Sequence, residues 1–290
     1  MPRINVKHLL STVVFGLCFL SFQTFADTDA KITSGILKFA AYDNFPPYSY
    51  QAENGKAEGI DVDIARALAE ELGLKANIRL VFADESLGDD LRVYVWKGHH
   101  VTGPPSDVML HVPYDENLIK QEDKVNFIAP YSEEQVVVAA DPDQLGNNPQ
   151  ITSFFSNKIG VERVTMADGY LLGAFRGQMR NSVVHFYSIG EAIQAMVNKE
   201  LTAVMGTRTE IEAELGDAKD NYQIGLMAMP GIAKPSWDLG LAVKATNEAL
   251  TNSLKTAMDK LILDGTIKKI FNKHGTSYHI PAAIINYPQE

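Results

Sequence analysis

The stretch from Asp43 to Gly73 constrains the chain most. A short apolar strand, Ile36 to Ala41, runs into an aromatic and proline loop, Phe45-Pro46-Pro47-Tyr48. Asn54-Gly55 then predicts a two-residue hairpin turn, because that pair supplies positive φ angles. A helix opens near Asp61, with Ile60, Ile64, Ala67, Leu68 and Leu72 on one face at 3.6-residue spacing. Gly73 stands where a left-handed C-terminal cap belongs. An aromatic loop at the carboxyl end of a buried strand is where open α/β sheets hold their ligands. Asp43, Phe45 and Tyr48 are therefore candidate ligand residues. The alternative is a proline-stiffened loop packed on its own hairpin.

The residues before this stretch read as a secretory leader. Arg3 and Lys7 are basic, Leu9 to Leu20 is mostly apolar, and Thr24-Phe25-Ala26 ends in a small residue, which places cleavage after Ala26. A run of about a dozen apolar residues is too short to span a bilayer. Cleavage leaves 264 of the 290 residues and removes Cys18, the one cysteine, so no disulfide is expected. It also removes Arg3 and Lys7, taking the net charge from −10 to −12. That balance argues against nucleic acid and anionic lipid as partners and leaves a basic protein partner open. No other run is long enough to embed the chain in a membrane.

A chain of this length suits two hydrophobic cores. Strands and helices alternate throughout, which predicts α/β lobes with mainly parallel sheets flanked by helices. After the opening unit come a strand at Ile78 to Phe82 and a helix capped by Ser86. Asp107 to Val112 follows as a continuous apolar strand, and Gln135 to Ala140 as the next. The second lobe repeats the pattern. Its strands are Lys158 to Val161, Ser182 to Tyr187, Thr202 to Gly206 and Tyr222 to Met229. Thr165 caps one helix, with Met166, Tyr170, Ala174 and Phe175 facing inward. Ser188 with Glu191 and Thr207 with Glu210 predict capping boxes. Trp237 to Val243 returns to the first lobe, and two helices follow, one ending at Asp264-Gly265. The expected division is residues 27–137 and 236–290 for lobe 1 and 138–235 for lobe 2, with two hinge crossovers that permit closure on a ligand.

Other residues carry two readings. Trp96 either stacks on a ligand or partner or flanks its helix face. His99 and His100 are adjacent, so on an extended chain they point to opposite sides, which favours a turn over a metal site. His111 and Tyr114 end or follow a central strand and either enter the cleft or pack as buried side chains. Thr165 caps a helix whose free amides also suit an anion. Asp61 and Asp63 resemble a carboxylate pair, but the first reads as a cap and the second as a first-turn acid. The sequence contains no nucleophile motif, metal-ligand spacing or phosphate loop. It therefore assigns no catalytic residue, metal or cofactor, and the chain reads as a binding protein rather than an enzyme.

Four pieces taken together resemble the type II periplasmic solute-binding proteins of amino-acid ABC transporters, family 3. They are Phe45-Pro46-Pro47-Tyr48, Gly59-Ile60-Asp61-Val62-Asp63-Ile64, Asn126-Phe127-Ile128-Ala129-Pro130-Tyr131, and the closing Gly240-Leu241-Ala242-Val243 with Leu263-Asp264-Gly265-Thr266-Ile267 and Ile270-Phe271. The resemblance implies a periplasmic protein that closes on a small molecule and hands it to a permease. It also implies an arginine for the ligand α-carboxylate, where this chain has Gln121, and an aspartate for the ammonium, where it has Thr207. A neutral amide and a hydroxyl cannot balance a zwitterion. Charge-assisted hydrogen bonds are worth roughly 1.5–3 kcal/mol each, so the expected ligand is a small polar solute other than an ordinary α-amino acid.

A narrower likeness covers Asp90-Leu91-Arg92, Val95-Trp96-Lys97-Gly98-His99-His100 and Ser106-Asp107-Val108-Met109-Leu110-His111-Val112-Pro113. These segments resemble periplasmic binding-protein-like partners of PQQ-dependent (quinoprotein) alcohol and methanol dehydrogenases, which implies an accessory role instead of transport. Catalysis on the same scaffold is the least supported alternative. The ligand candidates are thus Asp43, Phe45, Tyr48, Trp96, His111, Tyr114, Thr165 and Thr207.

Overall fold

The computed structural model describes residues 35–232 and 235–285. The leader read at residues 1–26 lies outside them, as does part of the return linker. The chain opens with β1 (Ile36–Tyr42), the short hairpin β2 (Tyr50–Gln51) and β3 (Ala57–Glu58), then α1 (Ile60–Glu71) and β4 (Lys75–Val81). Next come α2 (Leu87–Leu91) with a π-helical turn at Arg92–Trp96, β5 (Val108–Tyr114), α3 (Glu116–Gln121) and β6 (Val125–Ala140). The second half holds α4 (Pro142–Leu145), β7 (Ile159–Glu162), α5 (Met166–Gly177), β8 (Val183–Phe186), α6 (Ile189–Val197), β9 (Ala203–Thr207), α7 (Arg208–Leu215) and β10 (Gln223–Gly225). The chain then returns through β11 (Ser236–Lys244), α8 (Glu248–Leu263), α9 (Thr266–Lys273) and α10 (Ala282–Ile285).

One sheet links both halves in the order β4-β1-β5-β11-β6-β9-β7-β8, with β10 also pairing β6. Within the halves β1 runs parallel to β4 and β5, and β7 to β8 and β9, while residues 136–140 of β6 run antiparallel to β9 and β10. The returning β11 is antiparallel to β5 and β6, so the sheet as a whole is mixed. The long β6 serves both halves. Residues 125–135 pair with β11, and residues 136–140 pair with β9. Four buried clusters follow from this. Two draw on residues 37–131 and 239–271, and two on residues 136–229. Trp237 packs against one cluster from each set.

Several local expectations are corrected by backbone chemistry. The hairpin closes through Ala52 N–H to Lys56 O at 2.8 Å, with Gly55 alone at positive φ. Asn54 instead uses its side chain to accept the Lys56 N–H at 2.9 Å. Helix α1 starts one residue before Asp61, and its N-cap is Gly59, not Asp61. Gly59 sits at φ 125°, and a Cβ there would lie 2.3 Å from the Tyr48 carbonyl oxygen. That close approach lets Ile60 and Asp61 donate their N–H groups to the Pro47 and Tyr48 carbonyls at 3.0 and 2.9 Å. Two otherwise orphaned amides of the helix start are thereby satisfied. Helix α5 breaks at Ala174, where ψ is 147°, yet Ala174 and Phe175 still pack against the core cluster with Tyr170, whereas Met166, expected inward, is exposed on the first turn. Ser188 caps α6, but Glu191 accepts the Tyr187 N–H rather than closing a box. Only residues 223–225 of the strand expected to Met229 pair with a neighbour.

The C-terminal segment straps the two halves together. Lys219 Nζ donates to the Gly275 carbonyl at 2.7 Å, and Ser277 N–H donates to Glu212 at 2.6 Å. Glu133 N–H donates to the His279 carbonyl at 3.0 Å, and Asp238 accepts the N–H groups of Ala282 and Ala283.

Gly59 gives a sharp test of this architecture. Gly59→Ala should cost roughly 2 kcal/mol or more, because both φ and the carbonyl contact forbid a Cβ. Gly73→Ala, where φ is 68° and nothing lies within 4 Å of the Cβ position, should cost about 1 kcal/mol. Urea unfolding of both variants measures the difference.

Candidate functional site

The site is built where β5 and β6 bulge against β11. Opposite β5, the pairing steps from Gly240↔Val112 to Ala242↔Met109, so Leu241 alone faces Leu110 and His111. Opposite β6, it steps from Leu239↔Ser132 to Leu241↔Ile128, which leaves Ala129, Pro130 and Tyr131 against Gly240. The extra residues are accommodated by left-handed backbone at His111 (φ 58°) and Ala129 (φ 50°). Gly240 is required between them, since a Cβ there would approach the Ile128 carbonyl oxygen to 2.9 Å. Bulges of this kind re-aim side chains.

Asp61 receives both re-aimed side chains. Its carboxylate is fully buried and lies 3.1 Å from His111 Nδ1 and 2.7 Å from the Tyr131 hydroxyl, which donates to it. Burial and the adjacent Asp61 charge push the Tyr131 hydroxyl pKa far up, so it stays a donor. The His111 ring in turn packs edge-on against Tyr48 and Phe45, with centroids 4.3 and 4.9 Å apart, and Phe45 stacks on Tyr48 at 5.3 Å.

Tyr48 carries the network across to the second half. Its hydroxyl donates to Glu134 of β6, which also accepts the Gln135 N–H at 2.9 Å. Thr209 of α7 lies beside both members of that pair and lowers the pKa of each. Desolvation holds the Glu134 carboxyl above the usual range. Next to Thr209, Glu210 is pushed up to about 7, first by burial and then by Glu162 and Glu134, while the Thr207 bond and His111 pull the other way. Glu162, at the end of β7, is raised by burial although it accepts the Ile189 N–H at 3.1 Å.

The structure brings together Phe45, Tyr48 and His111, with Thr207 bonded to Glu210 near them. The Thr207 hydroxyl points to the Glu210 carboxylate and makes no capping bond to the helix backbone, which corrects the expected capping box. Thr165 is exposed; it caps α5 by accepting the Asp168 N–H and donates to the Glu162 carbonyl at 2.8 Å. Asp43 follows β1, its N–H held by the Val81 carbonyl and its carboxylate accepting the Asn44 N–H. Trp96 and Tyr114 lie elsewhere, packed against the cluster of Val93, Val95 and Met109. Gln121 is exposed at the end of α3. The nearby Arg208 is committed to Gln135 at 3.1 Å and Glu212 at 3.2 Å.

Sequence reasoning missed Asp61, Tyr131, Glu134, Thr209 and Glu210 as members of the site. Asp61 was legible as a helix cap or as half of a carboxylate pair with Asp63, not as a member of this site. Glu134 had a signal, a charge two residues before the apolar run Val136 to Ala140.

Comparison with known proteins gives the class. The fold matches type II periplasmic binding proteins. An ancestral cationic amino acid solute binding protein superposes with a TM-score of 0.66 at 19% identity, covering 84% of this chain and 97% of that one. The unliganded, open L-cystine solute receptor of Neisseria gonorrhoeae gives 0.62 at 18% identity, covering 87% and 100%. Residues 37–88 match the bacterial extracellular solute-binding proteins, family 3. The ABC transporter arginine-binding protein 1 of Escherichia coli (strain K12) is 23% identical over 93% of this chain and 97% of its own length. A cyclohexadienyl dehydratase of Pseudomonas aeruginosa is 45% identical, but over 47 residues, 16% of this chain and 18% of its own. Residues 37–88 are thus similar to family 3 solute-binding proteins, the chain as a whole carries the type II periplasmic binding-protein fold, and the curated relatives it matches over most of its length are named as binding proteins of ABC transporters or of L-cystine. No helix among the described residues is long and apolar enough to cross a membrane.

Two measurements test the site. Tyr131→Phe leaves the buried Asp61 with one donor fewer and should cost about 1–3 kcal/mol in urea unfolding. Glu210 binds its proton more tightly when folded than when unfolded. Its contribution is therefore complete below the ordinary carboxyl range and is lost as pH rises through about 7. Stability measured across that window should fall with rising pH, and Glu210→Gln should flatten the slope.

Proposed function

We propose that the protein is an exported binding component that closes two lobes on a small polar solute and presents it to an ABC permease. The lobes comprise residues 27–137 with 236–290, and 138–235, joined at β6 and β11. The observation that carries this reading is the line from Phe45, Tyr48 and His111 through Glu134 to Thr209, which joins groups from both halves. The solute is not an ordinary α-amino acid. Its carboxylate would meet Glu210 and Glu162, Gln121 is exposed and far along α3, and Arg208 is already occupied by Gln135 and Glu212. A carboxyl that titrates near neutrality, set beside an imidazole and two aromatic rings, suits a solute that donates hydrogen bonds and offers a flat or apolar face.

A second reading is an accessory role beside a periplasmic quinoprotein dehydrogenase. It is favoured by the placement of the Asp90 to His100 segment, which covers the outer face of the sheet away from the crevice and leads into a loop with Val101 exposed.

A thermal-shift screen separates the readings. A melting temperature that climbs with the concentration of a polar non-amino-acid solute supports the first, because ligand binding to the native state raises stability as RT ln(1 + [L]/Kd). The rise should shrink at least tenfold in apparent affinity for His111→Ala. A comparable rise with arginine or cystine would overturn the argument about ligand class. Co-purification of a quinoprotein with no response to any solute would favour the accessory reading.

A further inference from the structure

Away from the crevice, near the amino ends of β1 and β4, lies a cavity of about 200 Å³ lined by Lys38, Asn77, Arg79, Pro104, Pro105 and Ser106. Its floor is the sheet, where Lys38 pairs with Asn77 and Ala40 with Arg79. Its roof is the loop after the π-helical turn. This loop is closed by reciprocal bonds between His99 and Gly103 at 3.0 and 2.7 Å. Gly98 is pressed against it, since a Cβ there would lie 2.8 Å from the Gly103 carbonyl oxygen. The roof is therefore fixed by backbone contacts and not by a side chain that could swing away.

Arg79 is held beneath this roof in an incomplete way. Its Nη1 donates to the carbonyls of Thr102 at 3.0 Å and Pro104 at 3.3 Å, and its guanidinium carbon lies 5.4 Å from the Tyr94 ring centroid. Its Nη2 is shielded from bulk water and has no partner. A buried guanidinium donor without an acceptor costs about 1–3 kcal/mol or more, and because Arg79 forms part of the cavity wall, a small turn of its side chain would present that nitrogen to an acceptor held there. Lys38 is exposed at the rim, and among the described residues neither cation forms an ion pair. The acidic neighbour is Asp107, whose carboxylate accepts the Lys38 backbone N–H at 2.9 Å. Two cations, a fixed roof and an unmet donor thus surround a cavity on a chain whose net charge is −10.

We propose that this cavity is an anion site, separate from the solute crevice, that takes a carboxylate or phosphate group on Arg79 and Lys38. A planar guanidinium with one nitrogen still unbonded favours an oxyanion. The cavity is several times the ~30 Å³ that one water occupies, so it admits either a small free anion or the acidic side chain of a protein partner.

The test is an amide and guanidinium NMR titration of the exported chain, first with inorganic phosphate and then with a short glutamate-rich peptide. Saturable shifts should appear at residues 77–79 and 104–106 while the His111 and Glu210 signals stay still. Arg79→Gln should weaken the effect at least tenfold. Lys38→Gln, at an exposed position that cannot unfold the strand, should weaken it several-fold. Phosphate binding with no gain from the peptide identifies a free anion, and tighter peptide binding identifies an acidic partner. Absence of saturable shifts there with both probes, or shifts that survive both substitutions, would overturn the proposal.

Discussion

The buried Asp61 carboxylate is the interaction on which the site depends. It sits at the first turn of α1 with no exposure. An ionised carboxyl removed from water is expensive unless it is bonded. Its position at a helix N-terminus helps, because the first-turn amides favour negative charge. The side-chain donors, His111 and Tyr131, come from two different strands, and each reaches Asp61 only because its strand bulges there. The backbone strain at His111 and Ala129 is thus tied to one polar contact. Strain of this kind persists where surrounding structure over-determines it and gathers at functional sites.

From that carboxylate the geometry spreads outward. With Asp61 holding Nδ1, the His111 ring is fixed in orientation, and Tyr48 and Phe45 pack on it. The Tyr48 backbone is pinned as well, since its carbonyl accepts the Asp61 N–H across the glycine at 59. The three rings are therefore held in place through both side chain and backbone. Glu210 of α7 lies within electrostatic reach of His111 and Glu134.

Much of the fold was legible in the sequence. The apolar runs at 36–41 and 107–112 and the periodic faces of α1 and α8 all report burial, and burial is what periodicity encodes. Glycines at 73 and 265 marked helix ends because their backbone adopts the left-handed region. The site was legible only in part. Phe45, Tyr48 and His111 could be proposed from their place at strand ends. Asp61 could not, because a short acid before an apolar periodic run reads as a cap, and only Gly59's contact with the Tyr48 carbonyl shifts the cap back two residues. Glu134 and Thr209 could not be paired with Tyr48, since contacts across 86 residues of chain carry no local signature. Trp96 shows the reverse case. A large aromatic beside a helix face looks available for stacking, yet the π-helical turn rotates it onto the outer cluster.

The same network sets what parting the two halves must break. Any separation of the halves has to release the Thr209 contact with Tyr48 and Glu134, and it must also stretch the strap that Lys219 and Glu212 hold at Gly275 and Ser277. The first contact is buried: Tyr48 is 1%, Glu134 2% and Thr209 4% exposed. The strap is a separate set of contacts made by the C-terminal segment. Its anchor on the crossing strands, through Glu133 to His279 and Asp238 to Ala282 and Ala283, involves residues at the point where both halves share β6 and β11. The strap therefore ties the second half to the crossing strands through two hydrogen bonds, one of them to a charged acceptor that is itself paired with Arg208.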